Sequence, residues 1–243
     1  MSVDTRRRTG RLWASALLTV SFAAHAVAQE TTPAPTPTPE ATPALTATPE
    51  PATSPTMAAA PEPAVTAISI DIIKPEFVES LRQQLQQPVA ILSVGASNKR
   101  HEGVQQAEID KLDTAWKSEA KAADQPLIAE ILSSPLSSYL LYTQAKSAGL
   151  FTEIFVMDKF GLNVGQSSVT SDYWQGDEDK FQKTFAVGPD AVFIDEPEYN
   201  DETKTWRVQV NLTIVDPASK AAIGAATAEI NLTELQRRLQ AGI

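Results

Sequence analysis

Residues 205–231 read TWRVQVNLTIVDPASKAAIGAATAEIN. Trp206, Val208, Val210, Leu212 and Ile214 alternate with Arg207, Gln209, Asn211 and Thr213. Successive strand side chains point to opposite faces, so this segment has one apolar and one polar face. Asp216 to Lys220 form a turn, and Ala222 to Ile230 return as a second strand through Gly224. A helix closes the segment. Asn231 stands at its N-cap, Glu234 is the capping-box partner, and Leu232, Leu235 and Leu239 line its apolar side.

Upstream the same signals recur in shorter form. Glu153 to Met157 is a strand, Asp158 to Gly161 a turn, and Leu162 to Gln166 the returning strand of a hairpin. Ala191 to Ile194 is a further short strand. Before Gly149 the pattern is helical. Pro75 opens a run with Phe77, Val78, Leu81 and Leu85, and Ile109, Leu112 and Trp116 share one helical face. Asp124 is read as an N-cap before Pro126, and Ser134 before Pro135 repeats that punctuation. Residues 93–103 are read as a loop. Helices first, then an antiparallel sheet of about five strands, then a short helix, give an α+β class.

The N-terminal third is of another kind. Arg6, Arg7, Arg8 and Arg11 precede the apolar run Leu12 to Ala24, and Ala26-Val27-Ala28 offers a cleavage site before Gln29. Residues 1–28 therefore read as a secretory signal peptide, with the export route left open by the Arg6-Arg7 pair. Residues 29–66 are rich in Pro, Thr and Ala and read as a disordered, extended linker. The remaining 67–243 is one domain in size. The chain carries 20 basic and 30 acidic residues; 16 and 25 of them lie in 67–243, leaving that domain at −9. Such a balance excludes nucleic acid as a partner. The absence of Cys excludes thiol catalysis, disulfides and a lipid-modified cysteine anchor. The product is expected to be periplasmic or secreted, with no membrane insertion after signal cleavage.

Several stretches together resemble the PDC or single-Cache domain of extracytoplasmic sensors. They are Phe155-Val-Met-Asp-Lys-Phe-Gly161, the turn Asp216-Pro-Ala-Ser-Lys220 and its continuation Ile223-Gly-Ala-Ala226, and the helix start at Asn231-Leu232. Thr170-Ser-Asp-Tyr-Trp-Gln-Gly-Asp-Glu178, then Lys180-Phe-Gln-Lys-Thr184, resembles a free-standing exported branch of that family, as does Asp113-Thr-Ala-Trp116. The resemblance covers about residues 70–235. It implies a long N-terminal helix behind a curved five-stranded antiparallel sheet. It also implies a small organic ligand, such as an amino acid or carboxylate, between the other sheet face and the loop Ser167 to Asp190. Such domains pass a shape change to a signalling domain. None follows Ile243, so a membrane signalling protein is the expected partner.

The residues of that loop carry two readings each. Tyr173 and Trp174 either anchor the loop or form an aromatic wall for a ligand, with Gln175 beside them. Asp172, Asp177, Glu178 and Asp179 either form a solvated face at a helix N-terminus or recognise a cationic group. Their spacing lacks the calcium-loop pattern, and no metal or cofactor is expected. Lys183 and Arg207 are the candidates for holding an anionic group, with Gln209 beside Arg207; the alternative for Arg207 is an ion pair with Asp201, Glu202 or the acidic loop. The ligand-binding set is thus Asp172, Tyr173, Trp174, Gln175, Asp177, Lys183, Arg207 and Gln209.

No catalytic residues are assigned. His101 is the one His after the cleavage site and is read as an exposed loop residue, with no nucleophile motif near it. Two functions stand. One is a ligand-binding module of the sensor type. The other is a structural or adaptor protein of the envelope with no small-molecule ligand.

Overall fold

The computed structural model describes residues 66–242. The signal peptide expected for residues 1–28 and the linker expected for 29–66, save Thr66, lie outside the described residues. After a 3₁₀ turn at Ile70–Ile72 come five α-helices: α1 (Pro75–Leu85), α2 (Pro88–Arg100), α3 (Gln106–Glu119), α4 (Pro126–Leu132) and α5 (Pro135–Lys146). The hairpin β1 (Phe151–Asp158) and β2 (Asn163–Gln166) follows, then the short α6 (Asp179–Gln182). Next come β3 (Val192–Ile194), β4 (Glu198–Asn200), β5 (Thr205–Val215), β6 (Ala222–Asn231) and α7 (Leu232–Ala241). The expected α+β class is the one observed.

The sheet is antiparallel, in the order β2-β1-β6-β5-β3, with β4 also paired to β5. Six strands therefore fill five positions. The last position is split between β3, which pairs with Val210 to Leu212, and β4, which pairs with Thr205 to Arg207. No strand signal marks β4 in the sequence, because Pro197 and the surrounding acids mask three residues.

Alternation on β5 works as anticipated. Val208, Val210, Leu212 and Ile214 join Ile154 and Val156 of β1 and Ala226, Ala228 and Ile230 of β6 in one core. Leu81, Leu85, Ala90, Val94, Leu136, Leu140, Leu232 and Leu235 cover it from the helical side. Each fully buried Leu or Ile contributes about 1.5–3 kcal/mol of apolar transfer. A second cluster joins Ile109, Trp116, Ile128 and Ile131 of the helices to Leu162 and Tyr173.

Four local expectations are corrected. The N-terminal helix is broken in two, because Pro88 holds Gln87 in an extended conformation (φ −72°, ψ 155°). Residues 93–100 are helical rather than loop. Beyond Val94 their inward side is polar, so no apolar period announced them: Ser97 donates to Asp158 Oδ2 (2.9 Å) and Asn98 Nδ2 to the Ile223 carbonyl (2.7 Å). The N-cap of α4 is Gln125, not Asp124, and the Glu119 carboxylate accepts from Ile128 N at 3.0 Å. At α7, Asn231 Oδ1 caps Glu234 N (3.0 Å), but Glu234 turns to Arg237 and Arg238 instead of completing the box. The Asn231 N–H donates instead to the Leu150 carbonyl at 2.9 Å.

Candidate functional site

The sheet face away from the core divides into two unlike halves. Toward the β5–β6 turn, Phe155, Met157 and Ala225 are covered by Phe181, with Phe185 packed against them. Below these, Thr227 donates to Asn211 Oδ1 (2.7 Å) and Thr213 to the Gly188 carbonyl (2.7 Å). That half is filled. The other half carries charge around an open cleft of about 180 Å³.

The β5–β6 register supplies the cleft floor. A bulge between Ile214 and Val215 shifts the ladder by one residue, so that Gln209 pairs with Glu229 and Arg207 with Asn231. One strand further in, Glu153 of β1 is the neighbour of Glu229. Glu178 and Lys180 come from the loop, and Asp195, Glu196 and Glu198 from the β3–β4 junction. The lining therefore holds five acids and two bases. Both bases already have carboxylate partners: Arg207 Nη1 lies 2.9 Å from Glu229 Oε1, and Lys180 Nζ lies 2.9 Å from Glu178 Oε2. Arg207 Nε is buried and has no partner among the described residues.

Glu153 and Glu229 are like charges on adjacent strands. Burial raises the Glu153 pKa, the Ser168 hydroxyl at 2.7 Å lowers it, and Glu229 pushes it up again, with a net rise. Adjacent like charges destabilise a sheet. A cation placed between the cleft acids would relieve that repulsion.

The residues anticipated from sequence are separated by the fold. Arg207 and Gln209 line the cleft. Gln175 is buried and reaches its edge, accepting from Lys180 Nζ at 3.2 Å. Lys183 pairs with Asp179 (2.7 Å) and lies over the Phe193 ring, and Asp177 is exposed; neither lines the cleft. Asp172, Tyr173 and Trp174 face the helices. Tyr173 stacks on Trp116 with centroids 5.3 Å apart, and Trp174 Nε1 donates to the Phe160 carbonyl at 2.9 Å.

The Asp113-x-x-Trp116 stretch explains that placement. Asp113 Oδ1 accepts from Tyr173 N (3.0 Å) and Trp174 N (3.2 Å), and Trp116 Nε1 donates to the Thr170 carbonyl (2.8 Å). Lys117 bridges Asp113 (2.7 Å) and Asp172 (2.6 Å). Its pKa is raised by hydrogen bonds to Asp113 first and Asp172 second. Burial opposes ionisation of Asp172, yet its contact with Lys117 holds its pKa below the ordinary value. One end of the loop is thus pinned by a stacked pair and an ion triad. This leaves Glu178 and Lys180 at the other end to border the cleft.

Glu153, Glu198 and Glu229 were missed in the sequence. Glu229 stands beside Gln209 only through the bulge after Ile214; an unbroken count from the turn would put Ala228 there. Glu153 and Glu198 depend on pairings between distant segments.

His101 is a further correction. Its side chain is 12% exposed and its Nδ1 lies 2.7 Å from Asp158 Oδ2, with Ser97 Oγ 3.3 Å from the same nitrogen. These are the residue types of a hydrolase triad in the wrong arrangement. A triad needs the serine on the second ring nitrogen. Here Ser97 donates to the carboxylate, and Asp158 Oδ1 accepts from Phe160 N (2.9 Å) and Leu162 N (3.1 Å). The cluster fastens α2 to the β1–β2 turn.

Comparison with solved structures finds sensory ligand-binding domains of chemoreceptors and histidine kinases. The sensory domain of the Campylobacter jejuni chemoreceptor Tlp3 with isoleucine bound is 13% identical. That match covers 68% of this chain and 66% of that one, with a TM-score of 0.33. The ligand-binding domain of the Pseudomonas aeruginosa amino acid chemoreceptor PctC in complex with GABA is 15% identical over 65% and 63%, with a TM-score of 0.30. The sensor domain of the V. cholerae histidine kinase DctB is 11% identical over 67% and 58%, with a TM-score of 0.32. The chain thus spans two thirds or less of the length of each of these three. No family model matches the chain, and no curated protein does. Among the described residues no helix is long and apolar enough to cross a membrane, and no group of three metal-ligating side chains stands together.

Proposed function

We propose that the protein is an exported binding module of the sensor type, and that the cleft on the polar sheet face takes a small polar molecule bearing an amino group. The observation that carries this reading is the contrast between the two halves of one sheet face. One half is packed with Phe155, Phe181 and Phe185, while the other sets Glu229 in the lining of an open cleft with Glu153 beside it on the next strand. Arg207 pairs with Glu229, and Arg207 and Lys180 also favour the Glu153 carboxylate, yet burial and Glu229 leave the Glu153 pKa raised. A water occupies about 30 Å³ of liquid, so the cleft holds about six, which suits a molecule the size of an amino acid. Its ammonium group goes to the acids, and an acceptor goes to Arg207.

In this reading residues 1–28 are removed on export, 29–66 are a linker, and 67–243 bind in the periplasm or outside the cell. A membrane signalling protein receives the signal. The adaptor alternative has one observation in its favour: Tyr173 and Trp174 pack against the helices and take no part in the cleft. Native mass spectrometry of the purified chain, joined to thermal unfolding against amino acids, amines and organic acids, separates the two. A binder gains about 2.7 kcal/mol at a hundredfold excess of ligand over Kd. No retained mass and no shift with any compound bearing an amino group refutes the proposal.

A further inference from the structure

The two bases of the cleft are mounted differently. Arg207 stands on β5, a strand of 11 residues, and is held by Glu229 (2.9 Å) and Thr203 (3.3 Å). Lys180 stands on α6, a helix of 4 residues. Its side chain turns inward and is 13% exposed. The ammonium group lies 2.9 Å from Glu178 Oε2, 3.2 Å from Gln175 Oε1 and 5.5 Å from the centroid of the Phe155 ring. A carboxylate, an amide oxygen and an aromatic face are the groups that recognise an ammonium ion. The protein thus keeps an ammonium group of its own at the cleft, tethered to the loop.

Through these contacts Lys180 closes the loop on itself between Gln175 and Glu178. Glu178 is 38% exposed and lines the cleft, so a molecule in the cleft meets its carboxylate directly. The Lys180 charge also favours the Glu153 carboxylate. Exchange of Lys180 for another ammonium group therefore preserves the charge balance of the cleft. A neutral molecule in its place would take a cation from among the lining acids and return nothing.

We infer that Lys180 is a built-in competitor for the ligand, and that an amino compound binds by displacing the Lys180 ammonium group from Glu178. The inference rests on the reading of the cleft as an amine site. Before the exchange Lys180 ties Gln175 to Glu178; after it Glu178 holds the ligand and the tie is broken. Binding is thereby registered in the segment that carries Phe181, which covers Phe155, Met157 and Ala225. A competing group lowers the apparent affinity by the fraction of molecules in which the site is free of it. It also selects: neutral molecules and anions cannot replace it at a carboxylate.

Isothermal titration calorimetry of the full chain with ethanolamine, 1,4-diaminobutane, L-alanine and L-lysine tests this role. Lys180→Met keeps an apolar stem over Phe155 without the charge, and Lys180→Ala removes both. Lys183→Met is the control: it deletes the same charge nearby, where Lys183 pairs with Asp179 outside the cleft lining. At least one probe is expected to bind both Lys180 variants more tightly than the unmodified chain, by about tenfold or more. The same probe should change by less than about threefold in Lys183→Met, as for an exposed charge. Equal or weaker binding by the Lys180 variants overturns the inference and leaves the cleft an amine site. A gain of the same size in Lys183→Met also overturns it, because loss of charge alone then accounts for the effect. If no probe binds any of the four proteins, the amine reading of the cleft falls and this inference falls with it.

Discussion

Replacing Glu153 with Gln should make the protein more stable at neutral pH and less responsive to ligand. Glu153 lies beside Glu229 on the neighbouring strand, and its pKa is raised above 4.5 first by burial and further by that charge. Like charges across adjacent strands cost about 0.2–1 kcal/mol. Gln keeps the shape and can still accept from Ser168. For a domain of 150–250 residues, 1 kcal/mol moves the unfolding midpoint by about 2–4 °C, so a rise of about 0.4–4 °C is expected at pH 7.5. The pH dependence follows from the direction of the shift. Above the ordinary carboxyl value of 4.5 the unfolded chain has lost the proton that the folded protein still holds. Stability therefore falls as pH rises through the folded value, then levels off. Glu153→Gln lacks this decline. Its advantage should be absent near pH 4, where both states are protonated, and complete at pH 7.5. Thermal unfolding followed by circular dichroism at the two pH values, with and without an amine-bearing ligand, measures all of this. A variant that melts below the unmodified chain at pH 7.5, or whose advantage does not change with pH, refutes the reasoning.

Asp113→Ala should weaken the loop anchor. Two backbone amides lose a charged acceptor and Lys117 loses one carboxylate, which together amount to about 2–3 kcal/mol in urea unfolding; a loss below half of that would remove Asp113 as the anchor. Gly224→Ala should be among the most damaging small changes in the chain. A Cβ there strikes the Met157 carbonyl oxygen and comes within 3.0 Å of Val94 Cγ1, so about 1–3 kcal/mol of overpacking is expected by the same assay.

The long strands were legible because β5 and β6 each present a continuous period of two and are joined by a short turn. Their register was not, because the bulge between Ile214 and Val215 shifts the pairing by one and sets Glu229, rather than Ala228, beside Gln209. The helices opening at Pro75, Pro126 and Pro135 were legible as the strands were: the signal is local. The second half of α2 was not. Its inward side chains, Ser97 and Asn98, are polar and are satisfied by Asp158 and Ile223, residues that sequence distance hides. The site divides along the same line. Arg207 and Gln209 were found on the polar face of a strand, whereas Tyr173 and Trp174 were placed near a ligand because they are aromatic and sit in a polar loop. Trp116 and Asp113 hold them against the helices instead. Whether an aromatic pair grips a ligand or its own fold depends on which neighbours reach it, and these neighbours lie about sixty positions upstream.

The division of the outer sheet position between β3 and β4 has a consequence for how the protein behaves in a crowd. An unbroken edge along β5 would display a row of unmet backbone donors and acceptors, to which another chain could add itself as a strand. Here that edge is occupied by two three-residue pieces with Pro197 between them, and Asp195, Glu196 and Glu198 stand at the gap. The gap that opens the cleft to small molecules is therefore too short, too negative and too poor in N–H groups to serve as a template for polymerisation. Access for a ligand and resistance to aggregation come from the same interruption.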